Sequence, residues 1–128
     1  MISNNDKLNK VIQECKETGI ELPESMLSII ANLLSSSRLS WAVFSTFRKS
    51  IQIEYDTEDS YIEFEIFEDK VIMLRMTGDQ VDDEREVTLD EMHEIVWRLE
   101  KWDEFYFFTR LKNVWYFVYD FNFNAWIE

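Results

Sequence analysis

The sequence predicts an α+β domain with two N-terminal helices, an antiparallel β-meander over about 50–77, a helix over about 89–101 and C-terminal aromatic strands. Three observations support this fold class. Apolar residues recur at helical spacing before residue 37, alternate with acidic residues between 51 and 66, and return to helical spacing after residue 88. A length of 128 residues suits one core, so residues 1–128 are expected to form a single domain.

Two amphipathic helices are expected near the N-terminus. A cap among residues 3–5 opens the first helix, Gly19 suits its end, and Pro23 fits the first position of the second. Their apolar positions are Leu8, Val11, Ile12 and Cys15 in the first helix and Met26, Ile29, Ile30, Leu33 and Leu34 in the second. Cys15 is therefore expected in the core, and a single cysteine excludes an intrachain disulfide. Residues 38–47 are expected to form a linker or an irregular strand.

Three strands are predicted next, at about 50–56, 61–67 and 71–77. Residues 51–69 read IQIEYDTEDSYIEFEIFED, in which two alternating runs flank a polar break. The short connections DTED and EDK favour an antiparallel meander.

The register of the meander follows from which residues point inward. With Ile62, Phe64 and Ile66 inward, the alternation places Tyr55, Ile53 and Ile51 opposite them. A loop at 68–70 predicts the pairs Ile66–Ile72, Phe64–Leu74 and Ile62–Met76 on the other side.

The same register predicts an acidic outward face. The expected rows are Glu54–Glu63–Arg75 and Gln52–Glu65–Met73, with Asp56 at the edge. Directly opposed like charges destabilise a sheet by up to ~1 kcal/mol. Three interpretations are open: a solvated face, a docking face for Lys and Arg, and a Mg or Ca site. Carboxylates on a flat sheet do not enclose an ion, so neither a metal nor a cofactor is expected.

Negative charge is concentrated in the middle of the chain. The net charge is −13, and residues 54–104 hold 19 Asp and Glu against 5 Lys and Arg. Residues 79–86, DQVDDERE, are expected to form an acidic loop that lacks calcium-loop spacing. This balance disfavours direct binding of nucleic acid and favours a basic protein as partner. The candidate partner-binding residues are Glu54, Asp56, Glu63, Glu65, Asp82, Asp83 and Glu84.

The C-terminal third begins with a capping box and ends with an aromatic segment. Thr88-Leu89-Asp90-Glu91 should open the helix over about 89–101. Residues 102–128 then hold twelve aromatic residues, which favour strands at about 104–110 and 113–121. Aromatic residues beyond what the core needs can form a dimer or partner interface. The candidates for that interface are Trp115, Tyr116, Tyr119 and Trp126.

The sequence contains no motif typical of catalysis. His93 is the single histidine, so the zinc-protease pattern is absent, and no serine has a nucleophile-elbow context. An enzyme is therefore not expected. The start MISNNDKLNK has no apolar signal segment, and no apolar run approaches the ~18 residues of a membrane span. A cytoplasmic protein without membrane contact is the simplest expectation.

The meander resembles a stretch found in small uncharacterised bacterial proteins. The shared pattern is S-I-Q-x-E-Y followed by Y-x-E-x-E-I, which here is SIQIEYDTEDSYIEFEIFEDKV. The resemblance covers roughly residues 50–75. It implies a bacterial or mobile-element origin, and it carries no known activity and no site residue.

The leading functional expectation is a non-catalytic acidic protein that binds and blocks a basic partner, for example a nuclease or another nucleic-acid-binding protein. An anti-defence inhibitor (such as an anti-CRISPR protein), an immunity protein or an antitoxin fits this expectation. The alternative is a small homodimeric structural or accessory protein with an aromatic C-terminal interface. A third class is an enzyme that uses carboxylates and a divalent metal.

Overall fold

The computed structural model describes the backbone of residues 2–112 and the side chains of residues 2–101. The chain divides into two compact units, residues 1–89 and 90–128. The elements are α1 (Asn4–Glu17), α2 (Glu24–Ser36), β1 (Ala42–Ser45), β2 (Ile51–Asp56), β3 (Ser60–Ile66), β4 (Val71–Thr77), β5 (Gln80–Val87) and α3 (Leu89–Lys112). This confirms the α+β class, the N-terminal helices and the meander.

The two N-terminal helices begin and end close to the predicted positions. The Ser3 hydroxyl accepts a hydrogen bond from the Asp6 amide at 3.1 Å, and the Asp6 carboxylate accepts one from the Ser3 amide, which together form a capping box. Gly19 follows α1 with φ of 77°, a conformation that favours glycine. Pro23 is the N-cap of α2, one position before the predicted site. Cys15 is buried, as the helical spacing predicted.

The sheet is antiparallel in the order β1-β2-β3-β4-β5. We call the inner face the one that carries Ile53 and Phe64, which lie opposite each other and are fully buried. Trp41 is also fully buried, and its ring lies 5.8 Å from that of Tyr55 and 6.2 Å from that of Phe64. The inner face and the buried sides of α1 and α2 form the core of the first unit. The register of β2 against β3 agrees with the prediction at all positions.

The predicted register of β3 against β4 is wrong by one residue. Ile66 lies opposite Val71, Phe64 opposite Met73 and Ile62 opposite Arg75. The amide of Phe67 donates to the carbonyl of Lys70 at 2.9 Å, so the loop has two residues, 68 and 69, and not three. A shift of one residue exchanges the faces of a strand. Arg75 therefore lies on the inner side, and the expected neighbours Glu63–Arg75 and Glu65–Met73 do not form.

Two segments that were not expected to be regular strands extend the sheet. The linker over 38–47 contains the short strand β1, which pairs with β2. The expected acidic loop over 79–86 is the edge strand β5, which pairs with β4 and has a register irregularity at Arg75/Met76. Charged residues on an edge strand discourage further strand pairing, which explains why a segment of loop-like composition is tolerated there.

The helix of the second unit is longer than predicted. It runs from Leu89 to Lys112, so the strand predicted at 104–110 is wrong. No Gly or Pro follows Gly78 in the sequence, and no helix-breaking residue therefore interrupts the segment. Met92 and Val96 are buried, whereas Trp97 is 58% exposed. The strand predicted at 113–121 lies outside the described residues.

Candidate functional site

The outward positions of the five described strands carry carboxylates and no Lys or Arg. The pairing places Glu54, Asp56, Glu63, Glu65, Glu84 and Glu86 on the side of the sheet opposite Ile53 and Phe64. We call this surface the acidic face. No Lys or Arg occupies an outward position of the registered strands between Ala42 and Val87. The sign of its charge is therefore set by the alternation of the sequence, and Arg75, which was expected to relieve it, lies on the other side.

At the centre of this face, Glu54 lies opposite Glu63, as the sequence predicted. Both residues are half-buried, and each carboxylate accepts a hydrogen bond from a neutral group two positions away. The Gln52 amide donates to Glu54 at 2.7 Å, and the Tyr61 hydroxyl donates to Glu63 at 2.7 Å. These bonds fix the carboxylates without neutralising them. Sequence reasoning did not identify Gln52 and Tyr61 as donors, although their i+2 spacing places them on the same face.

The electrostatic effect of this pair is visible at Tyr61. Burial, followed by the hydrogen bond to Glu63 and the charges of Glu63 and Glu54, raises the pKa of Tyr61 well above its ordinary value of 10.0. Ionising the hydroxyl would remove the donor to Glu63 and add a third negative charge beside the pair. Tyr61 therefore remains a neutral donor throughout the physiological pH range.

Glu65 differs from Glu54 and Glu63 because its charge is compensated inside the chain. Its carboxylate accepts hydrogen bonds from Arg48 Nε at 3.1 Å, from Arg48 Nη2 at 3.0 Å and from the Ser50 hydroxyl at 2.7 Å. Glu65 is buried, and the bidentate geometry is that of a strong charge-assisted pair. Glu65 therefore anchors the β1–β2 loop and contributes little free charge to the acidic face.

The acidic residues of β5 divide between the two sides of the strand. Glu84 lies opposite Leu74 on the acidic face and is exposed, as is Glu86, which the sequence analysis had not selected. Asp83 lies on the inner side and accepts a hydrogen bond from Arg85 Nε at 3.0 Å. Asp82 lies at the register irregularity and accepts a hydrogen bond from the Thr77 hydroxyl. Asp56 is exposed at the end of β2, opposite Tyr61.

Between the carboxylates of β3 and β5 runs a line of apolar side chains from β4. We call Ile72, Leu74 and Met76 the apolar stripe; all three point outward and remain partly exposed. The one-residue error in the predicted register had placed these residues in the core, so the stripe was missed. The signal that would have found it is the two-residue loop Glu68-Asp69, which closes the β3–β4 hairpin.

The β1–β2 loop borders an open groove in the first unit. Phe47 and Lys49 have positive φ values of 60° and 64°, which are unusual for residues with a side chain. Phe47 is 62% exposed, and an open groove of about 820 Å³ lies between this loop and the end of α1. The loop is held by Arg48 at Glu65 and by Thr46, whose hydroxyl donates to the Ser50 carbonyl at 3.1 Å.

Other predicted features fall elsewhere. Trp115, Tyr116, Tyr119 and Trp126, the candidate interface aromatics, lie outside the described residues. Within the part of the chain that the structure describes, no cluster of three or more His, Cys, Asp or Glu side chains could hold a metal ion. No helix among those residues is long and apolar enough to cross a membrane. Comparison with known proteins finds no matching family model, no matching curated protein and no matching solved structure.

Proposed function

We propose that this chain is a non-catalytic cytoplasmic protein whose acidic face binds a basic, nucleic-acid-handling protein and blocks it. The observation that supports this is the pair Glu54 and Glu63, held face to face by neutral donors. Two opposed carboxylates without an outward Lys or Arg beside them lower the stability of a sheet. A surface that contacts only water does not require such a pair. An anti-defence inhibitor such as an anti-CRISPR protein, an immunity protein and an antitoxin all fit this mode of action.

The physical basis of the block is competition for positive charge. A surface that binds nucleic acid carries Lys and Arg that contact phosphates, and most of its affinity comes from those contacts. Carboxylates fixed in a row on a β-sheet present negative charge to the same groups. The net charge of −13 adds long-range attraction, which accelerates encounter with a basic protein at low ionic strength.

The test is capture with matched charge variants. The immobilised wild-type chain, the double variant Glu54→Lys/Glu63→Lys and the control Glu58→Lys/Asp59→Lys are each exposed to nuclease-treated bacterial lysate. The control makes the same charge change in the exposed β2–β3 turn. Each protein retained by the wild type is then purified, and its binding to labelled DNA or RNA is measured with and without the chain.

The proposal predicts basic proteins that the wild type and the control retain and the Glu54/Glu63 variant does not. Their nucleic-acid binding should fall as the chain is added. If the Glu54/Glu63 variant retains the same proteins, or if the retained proteins still bind nucleic acid in excess chain, the proposed function is wrong.

A further inference from the structure

We propose that the element this face receives is a cationic amphipathic helix, seated along β4 with its apolar side on Ile72, Leu74 and Met76. This inference rests on the proposed function and names the partner chemistry of the same face. Its basis is the order of side chains across the sheet. Leu74 lies between Glu63 of β3 and Glu84 of β5, and Ile72 lies between Glu65 and Glu86.

The width of the arrangement matches a helix. Neighbouring strands lie ~4.8 Å apart, so Glu63 and Glu84, which flank Leu74 on both sides, are separated by two spacings, about 10 Å. An α-helix with its side chains is about 10–12 Å across. A helix centred on the apolar stripe would therefore bring Lys or Arg on one flank to Glu63 and on the other to Glu84 and Glu86. Glu65 adds little to this contact, because Arg48 already compensates its charge. A single extended strand with one row of cations would reach one side at a time.

The length of the apolar stripe also matches that of three apolar positions on one side of a helix. Ile72 to Met76 spans four residue steps of a strand, or about 13 Å. Helical residues at i, i+4 and i+7 span about 10.5 Å on one side of a helix, close to the length of the stripe. Three apolar side chains of a helix can therefore contact the three members of the stripe. Val81, which lies opposite Met76 on the same face, is 53% exposed and extends the apolar surface toward β5.

Charge argues against two other occupants. Residues 113–128 contain Asp120 and Glu128 and no Lys or Arg, so the chain's own C-terminal segment has the same sign as the face. A second copy carries the same net charge of −13 and the same carboxylates, which repel in a face-to-face contact. A foreign element with Lys or Arg on both sides of an apolar line is the occupant that the charges favour.

Two synthetic peptides of about 14 residues, ~21 Å as a helix, test the inference. The first carries Leu at i, i+4 and i+7, Lys on both flanks and Ala elsewhere. The second has the same composition with the Leu residues distributed around the helix. Fluorescence anisotropy with the full chain should show the first peptide binding at least about tenfold more tightly than the second.

The outcomes separate the two proposals. Equal affinity for both peptides would overturn the helix inference and leave an acidic face that recognises charge alone. Binding of neither peptide at low salt would overturn the inference and count against the proposed function as well.

A substitution at the stripe provides a second, independent test. Leu74→Glu adds negative charge to the acidic face, so recognition by charge alone predicts tighter binding of the first peptide. Seating on the stripe predicts binding weakened about tenfold instead. The control Ile2→Glu adds the same charge at an exposed apolar position outside the sheet and should change affinity less than about twofold.

Leu74→Ala is the variant to use if Leu74→Glu lowers the thermal unfolding midpoint. It removes the central apolar contact without adding charge, and it should weaken the first peptide about fivefold and leave the second unchanged. Unchanged affinity of Leu74→Ala for the first peptide, or tighter binding by a folded Leu74→Glu, would overturn the inference.

Discussion

Glu54 lies directly opposite Glu63 on adjacent antiparallel strands, and both carboxylates are held by neutral donors, Gln52 and Tyr61. Two residues along β3, at the next outward position, the carboxylate of Glu65 is held by a guanidinium instead. The same residue type therefore has two different electrostatic environments on one face of one strand. At Glu65 the charge is compensated inside the chain, whereas at Glu63 it is fixed in place and left uncompensated by any outward cation of the sheet.

Removing one charge of the opposed pair should stabilise the protein. Glu63→Gln keeps an acceptor for the Tyr61 hydroxyl and removes the repulsion with Glu54, so we expect the free energy of unfolding to rise by about 0.5 kcal/mol at low salt. Urea denaturation measures this change, and 1 M salt should reduce it because screening weakens the repulsion. Glu58→Gln, in the exposed turn, is the control for net charge. A loss of stability in Glu63→Gln would contradict this account.

The matching substitution one position along the same face should have the opposite sign. Glu65→Gln removes charge-assisted hydrogen bonds from Arg48 and Ser50, and we expect a loss of about 1–2 kcal/mol. The expected loss of stability is moderate because the Arg48 side chain is 68% exposed and water can solvate it. The Glu65 side chain is 12% exposed. The same urea titration measures it. Equal effects of Glu63→Gln and Glu65→Gln would show that the two environments do not differ.

Tyr61 should make stability depend on pH in the alkaline range. The pKa of Tyr61 is raised in the folded state, so its contribution is complete below the unfolded value near 10 and is lost as pH rises above it. Tyr61→Phe lacks the hydroxyl and should be less stable by about 1 kcal/mol at pH 7, where the bond to Glu63 is intact. The difference between wild type and variant should shrink between pH 9 and about pH 11.5.

A control for the Tyr61 experiment is available in the β2–β3 turn. The Thr57 hydroxyl donates to the Ser60 carbonyl at 3.1 Å and does not titrate in this range. Thr57→Val should therefore differ from wild type by the same amount at every pH. If the difference for Tyr61→Phe is also constant from pH 9 to 11.5, the Tyr61 hydroxyl is not held beside the carboxylates of Glu63 and Glu54.

A glycine at position 49 should relieve strain in the β1–β2 loop and stabilise the protein. Lys49 has φ of 64°, a conformation that costs a residue with a side chain about 1–2 kcal/mol and costs glycine almost nothing. Glycine adds about 0.5–1 kcal/mol of entropy cost, so we expect Lys49→Gly to gain about 0.5 kcal/mol in thermal or urea denaturation. Lys70→Gly is the control, because Lys70 is an exposed residue that directly follows the β3–β4 loop, has no positive φ and should lose stability. A loss in Lys49→Gly as large as in Lys70→Gly would argue against strain at this position.

The parts of the fold that sequence predicted well are those where one arrangement alone buries the apolar residues. In β2 and β3, Ile53 and Phe64 alternate with glutamates, so any other register would bury charge. β4 reads VIMLRMT and is apolar on both sides, so its pattern does not choose between two registers. The length of the β3–β4 loop decides the register instead. The sequence-based prediction made this loop one residue too long.

The negative charge of the acidic face was predictable from the sequence, and so were some of its residues. Glu54 and Glu63 follow from the β2–β3 alternation, whereas the role of Glu65 depends on Arg48, which approaches from a loop with two positive φ values. The spacing of residues in the sequence does not predict the conformation of that loop. Glu84 was selected as a residue of an acidic loop and Glu86 was not selected. Their strand positions were missed because β5 has the composition of a loop and becomes a strand through its pairing with β4.

Binding of a basic partner should depend on the positions of Glu54 and Glu63 and not on net charge. The most direct measurement compares the affinity of the amphipathic lysine–leucine peptide for Glu54→Gln/Glu63→Gln and for Glu58→Gln/Asp59→Asn, two variants with the same loss of charge. Glu54→Gln/Glu63→Gln should bind at least about tenfold more weakly than wild type, and Glu58→Gln/Asp59→Asn should bind within about twofold of wild type. Equal affinities of the two variants would show that net charge, and not the positions of Glu54 and Glu63, determines binding.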